Sequence, residues 1–174
     1  MSEISITAAG IVLEKPYLKH EWDESAEILN VNVLGTFFSA QLASKHMIEG
    51  GRGGSIVMIA SVASHCAIPS QRLPIYGASK GAVRILARHL AVELAEHKIR
   101  VNTISPGYIA TDMTKNLGIE FPELIAVFHS ASPMKRMGDP ADIKGVAAYL
   151  LSDAAAYTTG ADVRVDGALA AGRL

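Results

Sequence analysis

Short apolar runs rich in β-branched residues alternate along this chain with longer stretches whose apolar positions recur every three to four residues. The first run, residues 3–8 (EISITA), stops at Ala8-Ala9-Gly10 and reads as a strand entering a turn. Residues 13–23 carry Pro16 and read as a loop, with Asp23 as the candidate cap of a helix. Over residues 25–47 the stripe Ile28, Val31, Gly35, Phe38 and Leu42, widened by Leu34 and Phe37, predicts an amphipathic helix. The glycines of residues 50–54 form a turn. Residues 55–60 (SIVMIA) are apolar throughout their interior, as in a strand buried on both faces of a parallel sheet.

A loop with Pro69 and Pro74 leads to the longest periodic stretch, in which Val83, Leu86, Leu90 and Leu94 mark a helix from about residue 75 to about residue 96. Residues 99–104 (IRVNTI) form the next strand, closed by Ser105-Pro106-Gly107. Residues 108–137, with Pro122 and Pro133, read as mostly irregular or weakly helical, the size of a lid or binding loop. Asp139-Pro140 then opens a helix to about residue 152, and Thr158-Thr159-Gly160 turns the chain into a last strand at residues 162–166. The order β, α, β, α, β, α, β predicts an α/β fold, a parallel sheet with right-handed crossovers.

Composition narrows the function classes. The chain has 174 residues, enough for one domain with a real core, and a formal net charge of −1. No basic excess attracts nucleic acid or an anionic membrane, and no run approaches the roughly 18 apolar residues of a membrane span. Met1 opens onto no signal-peptide pattern, and the single Cys66 allows no internal disulfide; the expectation is a cytoplasmic protein. The six histidines show no ligand spacing, so no metal site is expected.

Candidate chemistry gathers at the start of the longest helix. Tyr76 and Lys80 are four residues apart and share a helical face. A cation beside a phenol favours phenolate and pulls its pKa down from about 10. Ser61 follows a buried strand, at the carboxyl end where open α/β sheets keep their ligands, and Asn32 lies inside an apolar belt. Each has a bland reading as well: a surface Tyr/Lys pair, or an Asn satisfied by backbone.

In order and spacing, NVNVLGTF, SIVMIASVAS, YGASK and SPGYIATDM, with the closing TGADVRVDG, resemble the short-chain dehydrogenase/reductase family over nearly the whole chain. The resemblance implies a Rossmann-like, doubly wound sheet. It implies that Tyr76 is the acid/base, that Lys80 lowers its pKa, that Ser61 binds the substrate oxygen, and that Asn32 holds a water linking Lys80 to solvent. Ile109 and Thr111 match positions that contact the nicotinamide carboxamide. Tyr108 is expected at the substrate pocket. His65, the one histidine placed near it, is either a pocket residue or, as the reading preferred for it, the holder of a loop hydrogen bond. Its loop is most similar to fungal sugar- and polyol-acting members.

The same resemblance marks differences. The chain opens at what resembles the family's fourth strand, no GxxxGxG occurs, and Thr7-Ala8-Ala9-Gly10 stands where the family has NNAG. Backbone amides at a helix N-terminus supply much of dinucleotide binding. The expectation is therefore a single truncated domain, residues 1–174, that uses Asn-Ser-Tyr-Lys acid/base chemistry without a cofactor, as an isomerase, dehydratase, epimerase or cyclase would. Two alternatives stand beside it: an NAD(P)-dependent carbonyl or polyol oxidoreductase whose nucleotide-binding half comes from another chain, and a catalytically idle interaction partner. The expected partners are a small-molecule substrate and a second copy of the chain, as a homo-oligomer.

Overall fold

The computed structural model describes residues 3–68 and 71–171; Pro69 lies outside them. Four strands form one parallel sheet in the order β1-β2-β3-β4: β1 (Glu3–Thr7), β2 (Gly54–Ile59), β3 (Ile99–Pro106) and β4 (Asp162–Val165). Thr7 lies opposite Met58, Gly54 opposite Ile99, and Thr103 opposite Asp162, so the carboxyl ends of all four strands share one rim.

Helices cover both faces, as strands apolar on both sides require. On one face α2 (Thr36–Gly50) and α3 (Pro74–Glu93) pack over Ile56, Met58 and Val101 through Ala40, Val83 and Ala87. On the other, α6 (Pro140–Leu151) packs Ile143, Val146 and Leu150 against Val57 and Ile104. Its C-terminal carbonyls are held by Ser55 Oγ and Arg100 Nη1, both donating to Leu150 O, at 2.9 and 2.7 Å. Asp139 caps its start, accepting from Ala141 N at 2.8 Å.

Three expectations change. The helix expected over residues 25–47 begins earlier, at α1 (Trp22–Leu29), where Glu21 rather than Asp23 is the cap and shares a capping box with Glu24. It is also not a continuous α-helix: residues Asn30–Gly35 form a π-helical turn before α2. That extra residue rotates everything after it, so the inward face of α2 is Thr36, Ala40, Ser44 and Met47. Leu34, Phe38 and Leu42, expected to bury, stand outward, with Leu42 71% exposed. Residues 108–137 are ordered by two helices, α4 (Asp112–Glu120) and α5 (Glu123–Ser130), and Phe128 of α5 is fully buried. At the turn of residues 50–54, Gly51 has φ +67°, a left-handed C-cap that favours glycine.

Candidate active site

Helix α3 carries the candidate site on its first two turns. Pro74 opens it, tolerated because the first-turn N–H has no intrahelical partner. Tyr76 and Lys80 then follow at i and i+4, with the Lys80 ammonium 5.9 Å from the centre of the Tyr76 ring. Ser61 sits just past β2 and caps a short 3-10 turn, accepting from Ala63 N at 3.2 Å. Because that bond uses a lone pair, its hydroxyl still hydrogen-bonds the Tyr76 phenol.

Lys80 is 4% exposed, and its Nζ donates to Ile59 O at 2.9 Å. That is the one hydrogen bond it makes among the described residues, so two N–H donors of an ammonium are unspent. Burial pulls its pKa down from 10.5 to about 8. Burial also raises the Tyr76 phenol above its ordinary value, and the Ser61 hydrogen bond opposes this only in part. The expected depression of the phenol by Lys80 therefore does not appear in this geometry. The cation lies over the ring and is turned to a carbonyl, and desolvation outweighs it.

Asn32 is fully buried inside the π-helical turn. Its Oδ1 accepts from Ile11 N at 2.8 Å, and its Nδ2 donates to Ile11 O at 2.9 Å and to Ser79 Oγ at 3.0 Å. The amide thus splints the loop after β1 to α3, next to Lys80, and both its N–H donors are committed. Gly10 lies over this junction: a Cβ there would stand 3.2 Å from both Asn32 Oδ1 and Lys80 Nζ. Thr7, in place of the family's Asn, leaves a buried hydroxyl with no hydrogen-bond partner.

Two cavities meet at Tyr76 and Ser61. The larger, about 610 Å³, holds Lys80, Gly10, Ile109 and Thr111. The smaller, about 80 Å³, holds Tyr108, whose hydroxyl donates to Gln71 Oε1 at 2.8 Å and whose ring packs on Phe128. Backbone bonds from Ala110 N to Gly138 O and from Gly138 N to Tyr108 O pin residues 108–110 beside α6. So Tyr76, Lys80, Ser61, Ile109, Thr111 and Tyr108 come together, with Asn32 directly behind.

His65 does not join them. Arg84 Nη1 lies 2.8 Å from its Nδ1, and a guanidinium only donates, so Nδ1 accepts and Nε2 donates to Asp162 Oδ2 at 2.7 Å. Asp162 Oδ1 in turn accepts from Thr103 Oγ1 at 2.5 Å and Ser105 Oγ at 2.7 Å. Both ring nitrogens are committed to this network, and His65 lines neither cavity at Tyr76. Of the two readings of His65, this network fits the structural hydrogen bond and not the pocket contact. The residues the sequence reading missed are Gly10, Gln71 and Asp162. Only Asp162 carried a signal, as an acidic residue opening a strand that is otherwise apolar on one face.

A parallel sheet with a Tyr/Lys pair and a Ser at its carboxyl rim defines an α/β protein of the Rossmann-like class. Comparison with known proteins then places the chain in a family. Residues 3–169 match the family model described as enoyl-(acyl carrier protein) reductase, and the chain belongs to the short-chain dehydrogenase/reductase family. It is 38% identical over 168 residues to the ribulose-forming D-arabinitol 2-dehydrogenase of Candida tropicalis, covering 96% of this chain and 60% of that protein. Among solved structures it resembles a short-chain type dehydrogenase/reductase from Mycobacterium marinum, with TM-score 0.91 and 38% identity over 96% of this chain and 64% of the other. It also resembles a gluconate 5-dehydrogenase from Burkholderia cenocepacia in complex with NADP and tartrate, with TM-score 0.90 and 31% identity, covering 97% of this chain and 65% of that one. The chain thus spans less than two thirds of the length of these relatives.

The NADP complex of the Burkholderia cenocepacia relative overturns the expectation of a site that works without a nicotinamide cofactor. The cofactor-free isomerase or lyase reading falls with it. Among the described residues, no helix is long and apolar enough to cross a membrane.

Proposed function

We propose that this chain carries the catalytic part of an NAD(P)-linked oxidoreductase that interconverts a small secondary alcohol and its ketone. One observation carries the reading: Tyr76, Ser61 and Lys80 stand at the junction of two cavities, one of them large enough, at about 610 Å³, for a ligand of cofactor size. Gly10 supports it. With no side chain there, the Lys80 ammonium is open to the larger cavity, whereas any Cβ would crowd it at 3.2 Å. Gly10, Lys80, Ile109 and Thr111 would hold the nicotinamide end of the cofactor, and the described residues account for that end alone. When bound, the nicotinamide supplies the hydride chemistry.

The rest falls to the chain's own groups. Ser61 donates to the substrate oxygen and holds it beside the phenol. Tyr76, kept as phenol by its raised pKa, gives its proton to the carbonyl oxygen during reduction and takes it back from the hydroxyl during oxidation. Lys80, cationic below about pH 8, stabilises the phenolate left behind. Asn32 keeps the loop after β1 and α3 in register and so fixes Lys80. The polyol-acting relative supports a hydroxylated or carbonyl substrate, and the exposed apolar patch of Leu34, Phe38 and Leu42 supports a homo-oligomer formed through the π-helical turn and α2.

The test is spectrophotometric. Reduced nicotinamide should be consumed in the presence of a five-carbon ketone, with either NADH or NADPH, and Tyr76→Phe should slow that consumption by about 10²–10⁴-fold. No turnover with either cofactor across a panel of ketones would reject the reading. A clean monomer mass by light scattering would reject the assembly.

A further inference from the structure

The smaller cavity carries an inference about the substrate itself, resting on the oxidoreductase reading of the same site. It is walled by Val12, Val62, Ile68, Leu73, Leu117 and Phe128, all apolar. The polar groups on its surface are few and mostly committed. The single O–H of Thr114 is shared between Ile109 O and Thr111 O, and its oxygen accepts from Thr111 N. The Tyr108 hydroxyl donates to Gln71. Beyond Ser61 and Tyr76, which the reacting oxygen itself occupies, the Gln71 amide is the side chain with hydrogen-bond donors left for a ligand among the described residues that line the cavity.

We infer that this chain is selective for a ketone or secondary alcohol with a compact apolar substituent, not for a polyol. At about 80 Å³ the cavity is about half the size of the roughly 150 Å³ that holds a benzene ring, so it takes about three carbons. A propyl-sized group gains about fourfold in binding for each methylene buried. A polyhydroxylated chain of the same length gains much less, because among the described residues the Gln71 amide, with two N–H donors, meets at most two hydroxyls. Each of the others is stripped of water against aliphatic walls, at a cost of about 5–150-fold when left unpaired. The Candida tropicalis relative is named for forming ribulose. Here the walls argue for a substrate with the same carbonyl position and without the hydroxyls.

A matched pair tests this: 2-pentanone and ribulose share a five-carbon chain and a carbonyl at the second carbon. Ligand-observed NMR with saturation transfer from the full chain, at equal millimolar concentrations, should show transfer to the 2-pentanone propyl group and at least about tenfold less to ribulose. Leu117→Trp, which fills the cavity, should suppress the 2-pentanone signal by about tenfold. Leu117→Gln, which adds a polar partner, should narrow the preference; circular dichroism reports whether each variant is folded. Ribulose binding as well as 2-pentanone, no transfer to 2-pentanone from the wild-type chain, or a signal untouched by a folded Leu117→Trp would overturn the inference. Selective 2-pentanone binding without turnover of either compound would leave it standing while rejecting the oxidoreductase reading.

Discussion

Helix α3 carries two polar clusters one turn apart, and they differ in what their atoms have left to do. At Arg84 the chain Arg84–His65–Asp162–Thr103/Ser105 commits both imidazole nitrogens and both carboxylate oxygens to hydrogen bonds of 2.5–2.8 Å. At Tyr76 and Lys80 the same helix holds a half-buried phenol and a buried ammonium that make one side-chain hydrogen bond each among the described residues, beside two cavities. A satisfied network stabilises and is inert. An under-satisfied one keeps donors for a ligand and costs stability until the ligand arrives. This difference, more than residue type, separates the reactive pair from the histidine four residues after Ser61.

Substitutions should break the two clusters in different currencies. Tyr76→Phe removes one hydroxyl, so kcat for ketone reduction should fall by about 10²–10⁴ while the thermal midpoint stays within a few degrees. Steady-state kinetics beside a melting curve checks both halves.

Lys80 should show its cost in the pH dependence of stability. Its folded pKa, about 8, lies below the unfolded 10.5, so between these values the unfolded chain binds more protons. Stability should therefore rise with pH across that window, by about 3 kcal/mol in total from this group. The difference in unfolding free energy between wild type and Lys80→Met, followed by urea titration from pH 7 to pH 10.5, should show that rise. In the same interval the rate of reduction should fall above about pH 8, because the cation that stabilises the phenolate is lost. A difference that stays flat with pH would mean that Lys80 is solvated.

Asp162→Ala should act the other way, destabilising the fold by about 2 kcal/mol by stranding His65, Thr103 and Ser105, with kcat per folded molecule little changed. The smallest effect should come from His65→Asn, about 1 kcal/mol, with no change in KM. A KM that rises many-fold on His65→Asn would return this residue to the pocket.

Much of this was legible in the sequence, and the failures have physical causes. The buried strand β2 and the α3 periodicity place Ser61, Tyr76 and Lys80 on one rim, because strand ends and i, i+4 spacing are local properties. The inward face of α2 was not legible: a π-helical turn at Asn30–Gly35 inserts one residue, and no apolar count reveals it. Helices α4 and α5 were obscured by Pro122 and Pro133, although Pro122 immediately precedes α5 and starts it. The sign of the Tyr76 shift was misread because spacing shows that a cation is near, whereas burial and the Ile59 carbonyl decide which charge prevails.

The central claim is that the Tyr76 phenol gives the proton that accompanies hydride transfer at a carbonyl carbon. Its most direct test is mass spectrometry of the alcohol formed from 2-pentanone and NADH or NADPH deuterated at the transferable position. The wild-type chain should place one deuterium on the carbinol carbon, and Tyr76→Phe should place about 10²–10⁴-fold less in the same time. Equal incorporation by the two proteins, or none by the wild type with either cofactor, would contradict the account.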